Sequence, residues 1–282
     1  MTIIVLKAVI TAAGKGIRLL PITKEMPKEM MPVFSKIYDH QRVVLPLLQL
    51  IFEQLYSCNI KDYCFVVGRG KRSIEDHFTI DHNFLKTLSG KNRQIISNFY
   101  NKLEDSHLLW INQDKPSGFG DAVRMAERLV GKDNFIVHAG DVSVIARSVH
   151  PIMRLIKVGN DPSISAVLLF RRVKDPERHG VPKLRKISKD YFLVEEVEEK
   201  PERPKSNMGL MPLYFFTPRI FDALRKIKQG KGNEYQLTDA IQKLIENGEK
   251  VVGIPVKGTE IVLDVGTVES YKYSQDDSYK YA

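Results

Sequence analysis

The chain opens on an apolar, β-branched run, Ile3-Ile4-Val5-Leu6-Lys7-Ala8-Val9-Ile10-Thr11, that stops abruptly on Ala12-Ala13-Gly14-Lys15-Gly16 and turns basic at Arg18. The run reads as a buried strand. The small residues behind it let a backbone come within hydrogen-bond reach of a phosphate, because no side chain blocks the approach. Arg18 and, further on, Lys28 add positive charge on side chains of different reach. A Walker-type loop would need Gly-x-x-x-x-Gly-Lys-Ser/Thr, and a dinucleotide fingerprint would need a third glycine where Leu19 stands. The pattern is a phosphate-gripping turn of another kind. The glycines alone would also fit a plain strand-to-helix connector.

Further strands are expected at Tyr63–Val67, Leu108–Asn112, Phe135–Ala139 and Ile164–Phe170, with helices over Leu45–Tyr56, Ala122–Val130 and Val149–Val158. The alternation predicts an α/β protein with a mostly parallel sheet covered on both faces, and ligands beyond the carboxyl ends of the strands. Gly14, Gln113 and Asp141 each follow such a strand end and are expected to share one cleft. After about residue 170 the pattern changes to shorter strands, Tyr191–Val197 and Leu213–Phe216, with helices returning at Pro218–Ile227 and Gln236–Glu246. The expected organisation is one continuous domain over 1–282, in two parts that divide near residue 170. The Tyr- and Lys-rich tail from Tyr271 gives no clear packing signal.

The 43 basic and 34 acidic residues leave a net charge of +9, which suits nucleic acid, an acidic membrane surface or a polyanionic small substrate. No basic run interleaves with aromatics as an RNA platform requires, and no segment reaches membrane-spanning length. Nucleic-acid and membrane partners are therefore not expected. The densest basic cluster, Arg69, Lys71 and Arg72, reads as the solvated start of a helix, since Glu75 and Asp76 follow at once. Cys58 and Cys64 have neither zinc nor redox spacing, and a buried thiol at Cys64 with a reduced, cytoplasmic setting is the default. His77 and His82 read as surface residues, and His138 as structural.

The loop continues as Leu20-Pro21 and Pro27-Lys28-Glu29-Met30-Met31-Pro32, and the whole resembles the signature of sugar-1-phosphate nucleotidylyltransferases. The Pro-Lys-Glu-Met form is similar to bacterial-type UTP–glucose-1-phosphate uridylyltransferases. The similarity continues through Gly68-Arg69-Gly70-Lys71-Arg72, Gln113 with Pro116-Ser117-Gly118-Phe119-Gly120-Asp121, Glu199-Lys200-Pro201, Ser206-Asn207, Gln236-Leu237-Thr238-Asp239 and Asp264-Val265-Gly266. The resemblance implies a Rossmann-like three-layer nucleotidyltransferase fold with a mixed, mostly parallel sheet, and transfer of a nucleotidyl group from UTP to glucose 1-phosphate with Mg²⁺ as cofactor. It implies a homo-oligomer as well, and makes residues 1–170 a nucleotide-binding core and residues 171–282 a sugar-binding and C-terminal part.

It also implies the roles. Arg18, Lys28 and Lys200 are the catalytic residues, with Arg18 on the departing pyrophosphate and Lys28 on the triphosphate. Ala12, Ala13, Gly14, Gly16, Gln113, Gly118 and Asp141 bind the nucleotide. Gly180, Glu199, Lys200 and Asn207 line the sugar side, with Lys200 on the sugar phosphate. Asp141 and Asp264 form the metal pair, although on local sequence alone each could be a turn residue. Gln113 offers a donor and an acceptor to the imide edge of uracil, and thymine presents the same edge, so a thymidylyltransferase is the alternative. A non-catalytic nucleotide-sugar sensor is the alternative of another class. Two positions depart from the family pattern: Ile17 stands where threonine is usual, and His179 where tyrosine is usual.

Overall fold

The computed structural model describes residues 6–38 and 41–281. Among these residues thirteen strands run in chain order. The first seven are β1 Lys7–Ala12, β2 Pro32–Tyr38, β3 Gln41–Pro46, β4 Asp62–Gly68, β5 His107–Gln113, β6 Phe135–Ala139 and β7 Val142–Ile145. The rest are β8 Ile164–Arg172, β9 Gly180–Lys186, β10 Phe192–Glu199, β11 Met208–Phe216, β12 Lys250–Pro255 and β13 Ile261–Asp264. Nine form one sheet in the order β5-β4-β1-β6-β11-β8-β12-β10-β9, and β13-β7 and β2-β3 pair separately. The contacts β4–β5, β1–β4, β1–β6 and β8–β12 are parallel, whereas β11 is antiparallel to both β6 and β8. Strands β1, β4, β5, β6, β8 and β12 therefore all point the same way. Strand β10 is antiparallel to both β12 and β9, so the sheet is mixed, as expected: half of its eight contacts are parallel, and seven of its nine strands point one way.

Why the early strands read as continuous apolar runs is visible in the core. Ala8, Ile10, Tyr63, Phe65 and Ile136 face one hydrophobic cluster, while Val9, Cys64, Val66, Phe135 and Val137 face another on the opposite side of the sheet. A strand buried on both faces loses the polar/apolar alternation. Each fully buried Val, Ile or Phe contributes about 1.5–3 kcal/mol. Helices Leu47–Ser57 and Pro151–Gly159 cover the first face, and Phe119–Met125, Arg219–Leu224 and Leu237–Glu246 the second. The result is three layers. Among the described residues no helix is long and apolar enough to cross a membrane.

Several boundaries move for local reasons. The helix expected from Leu45 starts at Leu47, because Leu45 and Pro46 finish strand β3. Proline pushes the residue before it into extended backbone. The helix expected at Ala122 begins at Phe119, directly after Gly118. The tail forms the helix Val268–Tyr281, which buries only Ser274 and Ser278. Small hydroxyls let it lie close against the chain without an apolar stripe, which is why no periodicity announced it. His77, expected at the surface, is half-buried: it packs against Phe78 and Phe99 and shares a hydrogen bond with Gln49, and burial pushes its pKa down to about 4. His82 is exposed and Cys64 buried.

Candidate functional site

The strand order reverses between β1 and β6, since β4 and β5 lie to one side of β1 and the later strands beyond β6. Open α/β sheets place ligands at such a point, outside the carboxyl ends of the strands. Here the Gly14 loop leaves β1 and the Gly140-Asp141 turn leaves β6. The Gly140 amide donates to the Thr11 carbonyl at 2.8 Å, locking the two turns side by side. A cavity of about 560 Å³ opens over them.

Asp264 comes from more than a hundred residues downstream. Strand β13 pairs antiparallel with β7, setting Asp264 opposite Val142, and the Val265 amide donates to the Asp141 carbonyl at 3.0 Å. Both carboxylates line the cavity. The Asp264 loop is fixed from two sides. Its carboxylate accepts from the Gly266 amide at 2.6 Å, and its backbone amide and carbonyl both bond the Ser274 hydroxyl of the last helix, at 2.7 and 2.9 Å.

The two acids have different electrostatics. Burial pushes Asp264 up, and the charge of Asp141 pushes it further, against pulls from Arg171 and Arg18. Burial also pushes Asp141 up, but the Lys28 ammonium beside it, with a hydrogen bond to the carboxylate, outweighs that and holds it below the usual range. Lys28 in turn is held above its ordinary value, because Asp141 and Glu29 outweigh its own desolvation. Two partly desolvated carboxylates brought together, with one lowered by an ammonium already in contact, suit a hard cation. Among the described residues no group of three or more His, Cys, Asp or Glu side chains could hold a metal. Asp141 and Asp264 offer two carboxylate donors, and a hard cation held there would need water and phosphate oxygens to fill its shell.

Arg18, Lys28, Ala13, Gly14, Gln113, Gly118, Glu199 and Lys200 line the same cavity as the two aspartates. Ala12, Gly16, Gly180 and Asn207 do not. Ala12 is buried at the end of β1, and Gly16 has φ +66 and packs beside Thr23. Gly180 lies one layer back, near Glu199 and Thr238. Asn207 is exposed, with its carbonyl accepting from the Val173 amide at 2.9 Å. Ile17 is 66% exposed and stays outside the cavity, whereas His179 lines it.

Side chains behind the cavity wall orient those in front. Gln113 is buried and donates one amide hydrogen to Asp121 at 2.9 Å, and Asp121 is held by Arg124 at 2.7 Å. The Gln113 side-chain carbonyl and other amide hydrogen make no further hydrogen bond among the described residues. Thr238 donates to Glu199 at 2.8 Å. Lys200 sits in left-handed backbone at φ +45, with its amide donating to the His179 carbonyl at 2.9 Å and its carbonyl accepting from Lys231. A non-glycine residue held there is a small strain of the sort found at functional positions.

In the basic cluster at 69–72 Arg69 and Arg72 are exposed and a helix starts at Arg72, as expected, but Lys71 departs from the expectation of a solvated start. Lys71 is buried and donates to Glu29, itself 1% exposed, at 2.8 Å. This pair ties the Gly-Arg-Gly-Lys turn to the loop carrying Lys28. The sequence reading also passed over Arg171, which lines the cavity from β8.

The chain matches the nucleotidyl transferase family model over residues 7–279 and belongs to that family. The UTP–glucose-1-phosphate uridylyltransferase of Bacillus subtilis (strain 168) is 35% identical over 247 residues, which cover 85% of this chain and 80% of that protein. The enzyme of that name from Streptococcus pneumoniae serotype 4 is also 35% identical, over 94% of this chain and 87% of its own length. A UDP-glucose pyrophosphorylase solved in complex with UDP-glucose superposes with a TM-score of 0.85 at 27% identity, covering 99% of this chain and all of that one (100%).

Proposed function

We propose that the chain transfers the uridylyl group of UTP to glucose 1-phosphate, giving UDP-glucose and pyrophosphate, with Mg²⁺ as the cation. The observation that carries this reading is the convergence of Asp141 and Asp264 in one cavity with Arg18, Lys28 and Lys200. The reaction joins two polyanions. A phosphate oxygen of glucose 1-phosphate attacks the α-phosphorus of UTP, a new P–O bond forms, and the bond to pyrophosphate breaks with its electron pair leaving on oxygen. The nucleophile is already an anion at neutral pH and needs no base, so positioning and charge are the levers. Asp141 and Asp264 would hold Mg²⁺, which would supply a Lewis acid to the phosphate oxygens.

The chain's own groups do the rest. Gln113, set by Asp121, reads the imide edge of the base. Arg18 grips phosphate as a planar fork and Lys28 as a point charge. Lys200 draws in the sugar phosphate, and Glu199, steadied by Thr238, accepts from sugar hydroxyls.

Purified protein incubated with Mg²⁺, glucose 1-phosphate and each nucleoside triphosphate in turn is expected to release pyrophosphate fastest with UTP. Equal or faster release with dTTP would move the assignment to a thymidylyltransferase, and no release with any triphosphate would leave a sensor. Lys200→Ala is expected to cost ~100-fold or more in turnover, the scale of losing an electrostatic stabiliser. Near-normal turnover in a folded variant would take Lys200 off the sugar phosphate.

Gly118 supplies a separate check. It has φ +116, and a Cβ there would meet the Tyr235 carbonyl oxygen at 2.6 Å. Gly118→Ala is expected to displace the base loop and raise the KM for UTP about 5- to 100-fold, the equivalent of ~1–3 kcal/mol of strain. An unchanged KM would show that the base does not rest on this loop.

A further inference from the structure

Resting on the uridylyltransferase reading, we propose that Arg171 is a further substrate-positioning residue: with Lys200 it holds the phosphate of the sugar ester, the group that becomes the β-phosphate of UDP-glucose.

Arg171 stands near the carboxyl end of β8, in register opposite Gly209 of β11, so its backbone is fixed in the middle of the sheet. Alternation turns Arg172 out to solvent and Arg171 into the cavity. Its Nε is buried with no hydrogen-bond partner, and among the described residues the side chain has no ion pair. Arg154 shares the unpartnered Nε, but its two terminal nitrogens are engaged, one donating to both Glu260 oxygens at 2.7 Å and the other to the Pro255 carbonyl at 2.9 Å, and Arg124 donates to Asp121 at 2.7 Å. A guanidinium partly removed from water without partners costs free energy that a bound anion would recover. Its charge reaches Asp264, so it stands within the field of the proposed metal pair. Arg18 approaches the same aspartate from the β1 loop, with its guanidinium against Gly266. Arg171 comes instead from the half of the sheet that carries Glu199 and Lys200. Two cations on opposite flanks of the aspartates suit two phosphate groups on opposite sides of the reacting phosphorus: the leaving pyrophosphate by Arg18, the incoming ester by Arg171. The planar fork matches two phosphate oxygens at once, which an ammonium cannot do.

The test compares two ligands that differ by the glucosyl phosphate. By calorimetry with Mg²⁺, Arg171→Gln is expected to weaken UDP-glucose binding about 10- to 100-fold, the loss of one or two charge-assisted hydrogen bonds, and to leave UMP binding within about twofold. The KM for glucose 1-phosphate should rise by a similar factor while that for UTP stays put. Arg171→Lys keeps the charge without the fork and should fall between; it carries the same comparison should the glutamine variant not fold. Equal weakening of UMP and UDP-glucose would overturn the proposal and make Arg171 a counter-charge for Asp264. No weakening of either would overturn it too. If the wild type releases pyrophosphate from no triphosphate and binds neither ligand, the uridylyltransferase reading fails and this role falls with it.

Discussion

Asp264→Asn is expected to lower turnover by ~100-fold or more while leaving the metal-free protein at least as stable as the wild type. The two halves of this result have one cause. The Asp264 carboxylate is partly desolvated next to Asp141, and its pKa is raised. A carboxyl whose folded value lies above its unfolded one is a liability that grows as pH rises through that window and is fully present at neutral pH. Asparagine removes the charge and keeps the oxygen that accepts from the Gly266 amide. The turn should survive and the repulsion vanish, while the cation loses one of its two carboxylates. Thermal melts without metal at pH 7, alongside kcat with Mg²⁺, check both. Near-normal turnover would separate Asp264 from the chemistry, and a clear fall in melting temperature would mean its charge supports the fold.

The second large effect concerns the buried pair Lys71–Glu29. Lys71→Met is expected to destabilise the protein by about 3–5 kcal/mol, because it strands a carboxylate that is almost wholly enclosed. Burial pushes Glu29 up, and Lys71 is the largest opposing influence. Without it the carboxyl moves further up. The sign follows: the variant should be nearest to wild-type stability at pH values below the unfolded glutamate range, and should lose ground as pH rises through the elevated folded value. Urea titrations at acidic and neutral pH measure this directly. The double variant Glu29→Gln, Lys71→Met should recover much of the loss. A single variant within about 1 kcal/mol of wild type would mean water reaches the site and solvates Glu29.

The sequence was most legible where local pattern and physical cause coincide. Strand β6, Phe135–Ala139, matched its expected bounds, because a run buried on both faces needs no partner to be recognised. Glycine turns behind β1 and β6 were legible for the same reason. What escaped depends on distant partners. Lys71 looked solvated because composition cannot see Glu29, 42 positions away. Nothing local to residues 261–264 says that they pair with 142–145, yet that ladder brings the second aspartate to the first. Arg171 had a faint signal, a basic pair directly behind the apolar run of β8. Strand alternation separates its two members only once the inner face is known.

The hydroxyl of Ser274 makes the final helix a brace for the cavity end of the molecule. It grips both backbone polar groups of Asp264 from ten positions downstream. Damage to this remote segment would therefore register as a defect in cation handling, although no residue of that helix lines the cavity.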